Sequence, residues 1–304
     1  MTRHVAAVIA TFGRPREIER LLASLSSVDS VFVCDNSARP EIAAIVERSP
    51  IPAHYIAPPQ NLGCGGGLHA AEEAALKSVG DRLTHLLVLD DDVVLRPDTV
   101  ALLAEAVERE NAESAYPLVT ANNGTVGWTP GLRNRRLHRL SETPHTPGEY
   151  RGRFGAEVAD FDWAQGICLL VRRDVLEKAG LHRTDFWVRG EDLDFSLRLT
   201  AEARGIFVPA AEAQHLPPES LGGSNAGEYL RHAAMVQNIA LLAFTTAHGK
   251  RLRASLPGAA KRFVKKWGLR ALPDLGRALR RGAKGEPAGG GTGNTFYRRF
   301  NELP

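Results

Sequence analysis

Cysteine is scarce in this chain of 304 residues: Cys34, Cys64 and Cys168 show neither a CxxC spacing nor a pairing pattern. That excludes a disulfide scaffold and a cysteine-built zinc site, and it points to a reducing compartment. Long apolar runs are missing too. No stretch of about 18 apolar residues is present to cross a membrane. Met1-Thr2-Arg3-His4 leads into a short apolar strand, not a secretory h-region. These absences predict a cytoplasmic protein that does not span the membrane, with a peripheral place on the inner face of the plasma membrane left open. There is no internal repeat. Hydrophobic content of 43% and charged content of 24% are those of an ordinary globular protein. The length suffices for one large or two small domains with a full core.

Negative charge is nearly absent from one segment. Residues 250–284 hold 12 Lys and Arg but a single acid, Asp274, whereas residues 1–249 carry a net charge of −8. An acidic body thus bears a basic tail. Leu252, Leu256, Phe263, Val264, Trp267, Leu269, Leu272, Leu275 and Leu279 are interleaved with the cations, and Pro257 and Pro273 break the segment into short helices. Such basic amphipathic pieces suit an anionic membrane surface, or they pack on the body or on a second copy of the chain. Without an aromatic-rich sheet or a recognition motif, the charge does not read as nucleic-acid binding.

What the chain does have is a regular alternation over its first 110 or so residues. Strands are expected at Val5–Ala10, Ser30–Cys34, His54–Ala57 and Thr84–Leu89, and helices from Pro15, over Pro40–Arg48, through Leu76 and over Pro97–Glu110. This pattern predicts an α/β fold built on a mostly parallel sheet with helices on both faces. Ligands bind such sheets beyond the carboxyl ends of the strands. Residues 120–160 read as a long excursion with some strand. Later strands are expected at Ile167–Val171 and Ile206–Val208, and helices at Arg173–Ala179, from Gly190 and over Glu228–His248. Gly285–Asn294 reads as a flexible linker, and the tail to Pro304 is free or docks through Phe296, Tyr297 and Phe300.

The most telling cluster is Asp90-Asp91-Asp92, directly behind Leu86-Leu87-Val88-Leu89. Strand alternation puts Asp90 and Asp92 on one side and Asp91 on the other. Adjacent carboxylates repel unless a cation joins them, and a hard divalent ion is a natural guest. A solvated acidic turn or a helix cap is the plainer alternative. Gly65-Gly66-Gly67-Leu68-His69-Ala70 fits a dinucleotide GxGxxA, but Pro58-Pro59-Gln60-Asn61 separates it from its strand. Backbone packed close to a nucleotide beside a helix N-terminus fits better, with an empty glycine loop as the alternative. Glu191-Asp192 either complements a helix dipole or supplies a general base. His215, before Pro217-Pro218, is a third metal ligand or a structural histidine. Trp163 stacks on a sugar or belongs to the core, and Asp35 accepts from a ligand or starts a turn.

Taken in order, Val8 to Arg14, Asp35-Asn36-Ser37, Asn61-Leu62-Gly63, Leu89 to Asp92, Gly190-Glu191-Asp192 with Asp194 and Arg198, and His215 resemble the family-2 glycosyltransferases of GT-A fold over about residues 4–250. The Asp triplet and the late histidine are similar to the galactofuranosyl- and rhamnosyltransferase branch. The resemblance implies that Thr11, Phe12, Arg14, Asp35, Asn61 and Gly63 hold the nucleotide. It implies that Asp90, Asp92 and His215 bind Mn2+ or Mg2+, and that Asp91 faces the donor sugar. Asp192 is then the general base with Glu191 beside it, and Trp163 and Trp187 meet the acceptor. The implied reaction is metal-dependent, inverting transfer of one sugar from a UDP- or dTDP-sugar to a glycan, lipid-linked or small-molecule hydroxyl. Gln237-Asn238-Ile239-Ala240-Leu241 does not supply the QxxRW of processive synthases, which argues for single transfers. A nucleotidyltransferase-like enzyme and a non-catalytic nucleotide-sugar-binding protein on a membrane are the alternatives. The expected organisation is a catalytic domain over residues 1–249, with a nucleotide half (1–119) and an acceptor half (120–249). The basic helical segment (250–284) and the tail (285–304) complete the chain.

Overall fold

The computed structural model describes residues 3–132, 145–216, 225–247 and 249–288. The expected linker and tail from residue 289 on, with Phe296, Tyr297 and Phe300, lie outside the described residues, as do Pro217 and Pro218. The strands are β1 Val5–Thr11, β2 Ser30–Asp35, β3 Ala53–Ile56, β4 His85–Leu89, β5 Val93–Leu95, β6 Ser114–Thr120, β7 Val126–Trp128, β8 Gly131–Leu132, β9 Ala159–Trp163, β10 Cys168–Arg172 and β11 Gly205–His215. The helices are α1 Pro15–Ser24, α2 Pro40–Glu47, α3 Gly63–Val79, α4 Thr99–Arg109, α5 Pro147–Phe154, α6 Arg173–Ala179, α7 Glu191–Glu202, α8 Asn225–Thr245, α9 Gly249–Arg253, α10 Leu256–Trp267 and α11 Leu272–Ala283.

Two compact units result. The first comprises Met1–Asn61, Gly67–Leu181 and Phe195–Pro218, and the second comprises Leu62–Gly66, His182–Asp194 and Glu219–Pro304. The first unit holds the sheet, in the order β3-β2-β1-β4-β10-β6-β11-β9-β8, with β5 paired to β11 and β7 to β6. The expected parallel order holds for β3, β2, β1 and β4. Beyond β4 the sheet is mixed, because β10 runs antiparallel between β4 and β6 while β6 and β11 run parallel. The apolar runs made this legible: β1, β2 and β4 are buried along their length apart from half-buried Ala10. Proline in the first turn starts α1 and α2, and Ile18, Leu21 and Leu22 form the buried stripe of α1.

One strand is far longer than its apolar core suggested. β11 runs on from Val208 to His215 through a register shift opposite β6. Such an irregularity bends a strand and re-aims the residues beyond it. The polar stretch Glu212–His215 therefore remains in the sheet although it has no apolar pattern.

In the second unit, α8 packs with α9, α10 and α11, so a break between residues 249 and 250 would divide elements that belong together. Val236 of α8 shares a core with Ala259, Phe263, Ala271, Leu275 and Ala278, flanked by Tyr229, Trp267 and Leu279. Much of the apolar face of the basic segment is thus spent inside its own unit. Nor does the segment 285–288 hang free. Gln237 Nε2 donates to the Glu286 carbonyl at 2.9 Å, and the Ala288 amide donates to Asn238 Oδ1 at 2.8 Å. Among the described residues no helix is long and apolar enough to cross a membrane.

α11 approaches α8 closely at Gly282, where a Cβ would stand 2.1 Å from the Gln237 carbonyl oxygen and 2.7 Å from Ala240 Cβ. Gly282→Ala is therefore expected to lower stability by about 1–3 kcal/mol despite alanine's better helix propensity. Urea unfolding checks this, since a neutral or stabilised variant would mean that the two helices are not in such contact.

Candidate active site

β4 stops at Leu89, and Asp90, Asp91 and Asp92 form the turn into β5. Strand alternation thus does not reach the last two aspartates. Their directions come from the turn and from β5, whose residue Val93 pairs with His215 of β11 in antiparallel register. That pairing brings His215 to the triplet across more than a hundred residues of sequence. The Leu216 amide donates to the Asp92 carbonyl at 2.7 Å. His215 Nε2 lies 2.8 Å from Asp92 Oδ1 and 3.9 Å from Asp90 Oδ2. One ligand atom from each of Asp90, Asp92 and His215 falls within a common span of 4.8 Å. Two carboxylates and an imidazole at this spacing suit a divalent ion of the Mn2+ or Mg2+ kind. His215 Nδ1 is buried with no hydrogen-bond partner, and Trp128 of β7 stands edge-on to the ring at 4.4 Å. Trp128 lies in the excursion after residue 120, where nothing in the sequence singled it out.

Asp91 takes the other side, toward β1. Its Oδ2 accepts from Thr11 Oγ1 and its Oδ1 from Arg14 Nη1, both at 2.7 Å, and the same Arg14 nitrogen reaches Asp92 Oδ2 at 3.0 Å. Thr11 and Arg14, expected to hold the nucleotide, are here committed to the aspartates. Asp91, expected to face the donor sugar, is buried against them. The three carboxyls feel this differently. Burial and the nearby Asp92 raise Asp91 to about 6, against the pull of Arg14 and Thr11. Burial also opposes ionisation of Asp92, but the His215 hydrogen bond and charge, with Arg14, outweigh it and leave Asp92 below the usual carboxylate range. Burial acts against the Arg14 charge as well, and the aspartates outweigh it.

Asp35 corrects an expectation. Its Oδ1 accepts from the Ser37 amide (2.9 Å) and hydroxyl (2.5 Å), and its Oδ2 from the Arg39 amide (2.7 Å) and Tyr55 hydroxyl (2.9 Å). A carboxylate offers about four lone-pair sites, and all are used inside the protein. The turn role is the one observed, and Tyr55, unremarked in the sequence, is its long-range partner. Phe12 is 56% exposed at the end of β1, with a ring free to meet a ligand. Asn61 is half-buried at the end of its segment of the first unit.

The glycine run opens the helix expected through Leu76 and is not the empty loop that was its alternative. Gly63 opens α3, so the glycines form its first turns. At Gly63 (φ +74°) a Cβ would meet the Trp187 carbonyl oxygen at 2.4 Å, and at Gly65 the Phe186 carbonyl oxygen at 2.4 Å. At Gly67 it would meet Asn36 Nδ2 at 2.7 Å. Protein backbone and side chain, not an open loop, fill the space that these glycines leave. Trp187 is correspondingly buried against Gly63, which corrects its expected role at an acceptor. Trp163 keeps its alternative: it is half-buried, with its indole against the backbone of Gly131. Arg198 donates to the Ala179 carbonyl that ends α6 and, just beyond it, to the carbonyls of Gly180 at 3.1 Å and Leu181 at 2.9 Å.

The carboxylate pair Glu191-Asp192 begins α7 in the second unit. Arg189 (φ +65°) and Gly190 (φ +98°) precede it, two successive left-handed residues that need support. Asn238 of α8, fully buried, supplies it by donating Nδ2 to the Arg189 carbonyl at 2.6 Å. The Gln237-Asn238 pair, notable in the sequence only for failing a motif, is thus a clasp. Asp192 is half-exposed and takes its own helix's Leu193 amide at 2.7 Å. Glu191 Oε2 is shut off from solvent with no partner. Burial and then the charge of Asp192 push Glu191 up to about 8, against the helix start and a Cys64 hydrogen bond.

Because folding favours protonated Glu191, its contribution to stability is fully present below the unfolded carboxyl range and is lost as pH rises toward the folded value. Glu191→Gln removes this dependence. The stability of the wild type relative to that variant is expected to fall from about pH 5 to about pH 8 in paired urea titrations. A difference independent of pH would mean that Glu191 is charged in the fold.

Residues 6–180 match the model of the family described as glycosyl transferase family 2. Among curated proteins, the chain is 22% identical over 203 residues to the low-salt glycan biosynthesis hexosyltransferase Agl10 of Haloferax volcanii, covering 66% of this chain and 63% of that one. It is 27% identical over 259 residues to an N-acetylglucosaminyltransferase of Mesorhizobium japonicum, covering 80% of this chain and 58% of that one. The chain therefore spans less than two thirds of either relative. Among solved structures, S. aureus TarS 1-349 superposes with a TM-score of 0.62 at 15% identity, covering 94% of this chain and 81% of that one. The same TarS fragment in complex with UDP-GlcNAc gives 0.60 at 16% identity, covering 94% and 82%. GalNAc-T7 with UDP, GalNAc and Mn2+ gives 0.56 at 13% identity, covering 93% and 56%. At these identities the structures speak for the shared GT-A fold.

Proposed function

The chain belongs to glycosyltransferase family 2, and from that premise we propose metal-dependent, inverting transfer of one sugar from a UDP- or dTDP-sugar to a hydroxyl of a glycan, lipid-linked or small-molecule acceptor. The observation that carries the reading is the convergence of Asp90, Asp92 and His215, which offer three ligand atoms within 4.8 Å at the carboxyl end of β4. A TarS structure holds UDP-GlcNAc and a GalNAc-T7 structure holds UDP, GalNAc and Mn2+, which supports the nucleotide sugar and the cation as classes.

In this reading Asp90, Asp92 and His215 hold Mn2+ or Mg2+, which when bound supplies positive charge against the diphosphate. Thr11 and Arg14 fix Asp91 and steady the turn that carries both acidic ligands. Phe12 offers its exposed ring to the base. The acceptor hydroxyl attacks the anomeric carbon, the bond from that carbon to the phosphate oxygen breaks, and its electron pair leaves with the nucleoside diphosphate. The hydroxyl proton goes to Asp192. One base and one displacement give inversion, by the logic that governs inverting sugar hydrolases.

A positioned base contributes about 10²–10⁴-fold. Asp192→Asn is therefore expected to lower kcat by about that factor and to leave UDP affinity unchanged in calorimetry. NMR of the first product formed should show the inverted anomer. Full transfer by the variant would dismiss Asp192 as the base, and a retained configuration would dismiss the single displacement.

A further inference from the structure

The basic segment buries Phe263, Leu275 and Ala278 within its own unit, yet two of its leucines point outward. Gly268 (φ +78°) ends α10, a short 3-10 turn over Leu269–Ala271 comes next, and α11 begins at Leu272. At this corner Leu269 is 74% exposed and Leu272 48% exposed. Only Phe12 and Phe244 share that exposure among large apolar residues of the described part. A single exposed leucine needs no explanation. Two at one helix corner, beside exposed Pro273 and ringed by cations, form a defined surface.

Lys261, Arg262, Lys265 and Arg270 are all exposed along α10 and the corner. The one acid of the segment, Asp274, is occupied by Tyr229 and Arg277. Glu228 of α8 is in turn held by Lys266. The acids of the surrounding helices are thus neutralised by internal partners, and the outward charge is positive. Trp267, beside the corner, is anchored by its indole N–H to His232 Nδ1 at 3.0 Å, so the corner is held rigidly by its own core.

We propose that the α10–α11 corner docks on an anionic lipid bilayer, with Leu269 and Leu272 inserted below the headgroups and Lys261, Arg262, Lys265 and Arg270 at the phosphates. Charge complementarity and apolar tip together select this occupant. Leucines alone would serve a protein groove, and cations alone any polyanion, but an apolar tip inside a cationic rim matches the layered chemistry of a bilayer surface. Asn238 grips the loop before Asp192 from α8, the helix on which this corner is built, so the docked unit is also the one that carries the carboxylate pair. Docking does not depend on sugar transfer, and its measurement needs no donor.

The test is co-sedimentation of the full chain with vesicles of phosphatidylcholine alone and with about 30% phosphatidylglycerol, at low and high salt. Binding is expected only to the anionic vesicles, weakening as salt rises. Leu269→Ser with Leu272→Ser, both at exposed positions, should cut partitioning at least about tenfold. Lys265→Glu with Arg270→Glu should act likewise, with unfolding midpoints unchanged in both cases. Equal partitioning to both vesicle types, or undiminished binding by the leucine variant, would overturn the proposal. So would a wild type that sediments as a dimer and a leucine variant that sediments as a monomer, which would give the corner to a second copy.

Discussion

Three successive carboxyls crowd the carboxyl end of β4, and the first unit is arranged around relieving that crowding. Left alone they would repel, and at least one would stay protonated. Two side chains from distant parts of the chain settle the matter. Arg14, just past β1, bridges Asp91 and Asp92 through one nitrogen. His215, at the end of β11, closes on Asp92 from the opposite side. Asp90, the most exposed of the three, is left nearest the open side with His215. The parallel neighbour β1 delivers one partner and the antiparallel pairing of β5 with β11 delivers the other. The result is a carboxylate cluster already neutralised in part before any ligand arrives, whose ligand atoms need little rearrangement to accept a divalent ion.

The elements that position this cluster could be read from sequence wherever burial and turn chemistry agree. β1, β2 and β4 are apolar runs ending in polar turns, and α1 and α2 begin at prolines, so their limits fall within a few residues of expectation. What local pattern cannot carry is pairing over distance. The three-residue β5 and the polar end of β11 have no periodicity of their own, and they form because each completes the other's hydrogen bonds. Asp90 and Asp92 do share a site as strand alternation suggested, yet the cause is different, since a turn and a cross-strand histidine bring them together. Asp35 and Trp187 misled for a related reason. A carboxylate after a strand and a tryptophan before a helix look alike in sequence whether they face a ligand or the protein. Only the four donors around Asp35 and the glycine backbone under Trp187 decide it.

The second unit obeys another logic. Its helices are held by close backbone approach, at Gly282 against α8, and by two amides of α8, Gln237 and Asn238. Asn238 uses both ends of its side chain, holding Arg189 on one side and Ala288 on the other. The residues before the Glu191-Asp192 pair and those after α11 thus share one support. That gives the basic helices a structural reason to accompany the carboxylates, apart from any surface that they present.

Whether Asp90, Asp92 and His215 form a metal-dependent nucleotide-sugar site is decided by titrating UDP calorimetrically, with and without Mn2+, into the wild type and His215→Ala. Mn2+ is expected to tighten UDP binding to the wild type by at least about tenfold, and the variant to lose this gain while keeping its metal-free affinity. An equal Mn2+ response in both proteins, or none in the wild type, would contradict a metal site built from these three residues.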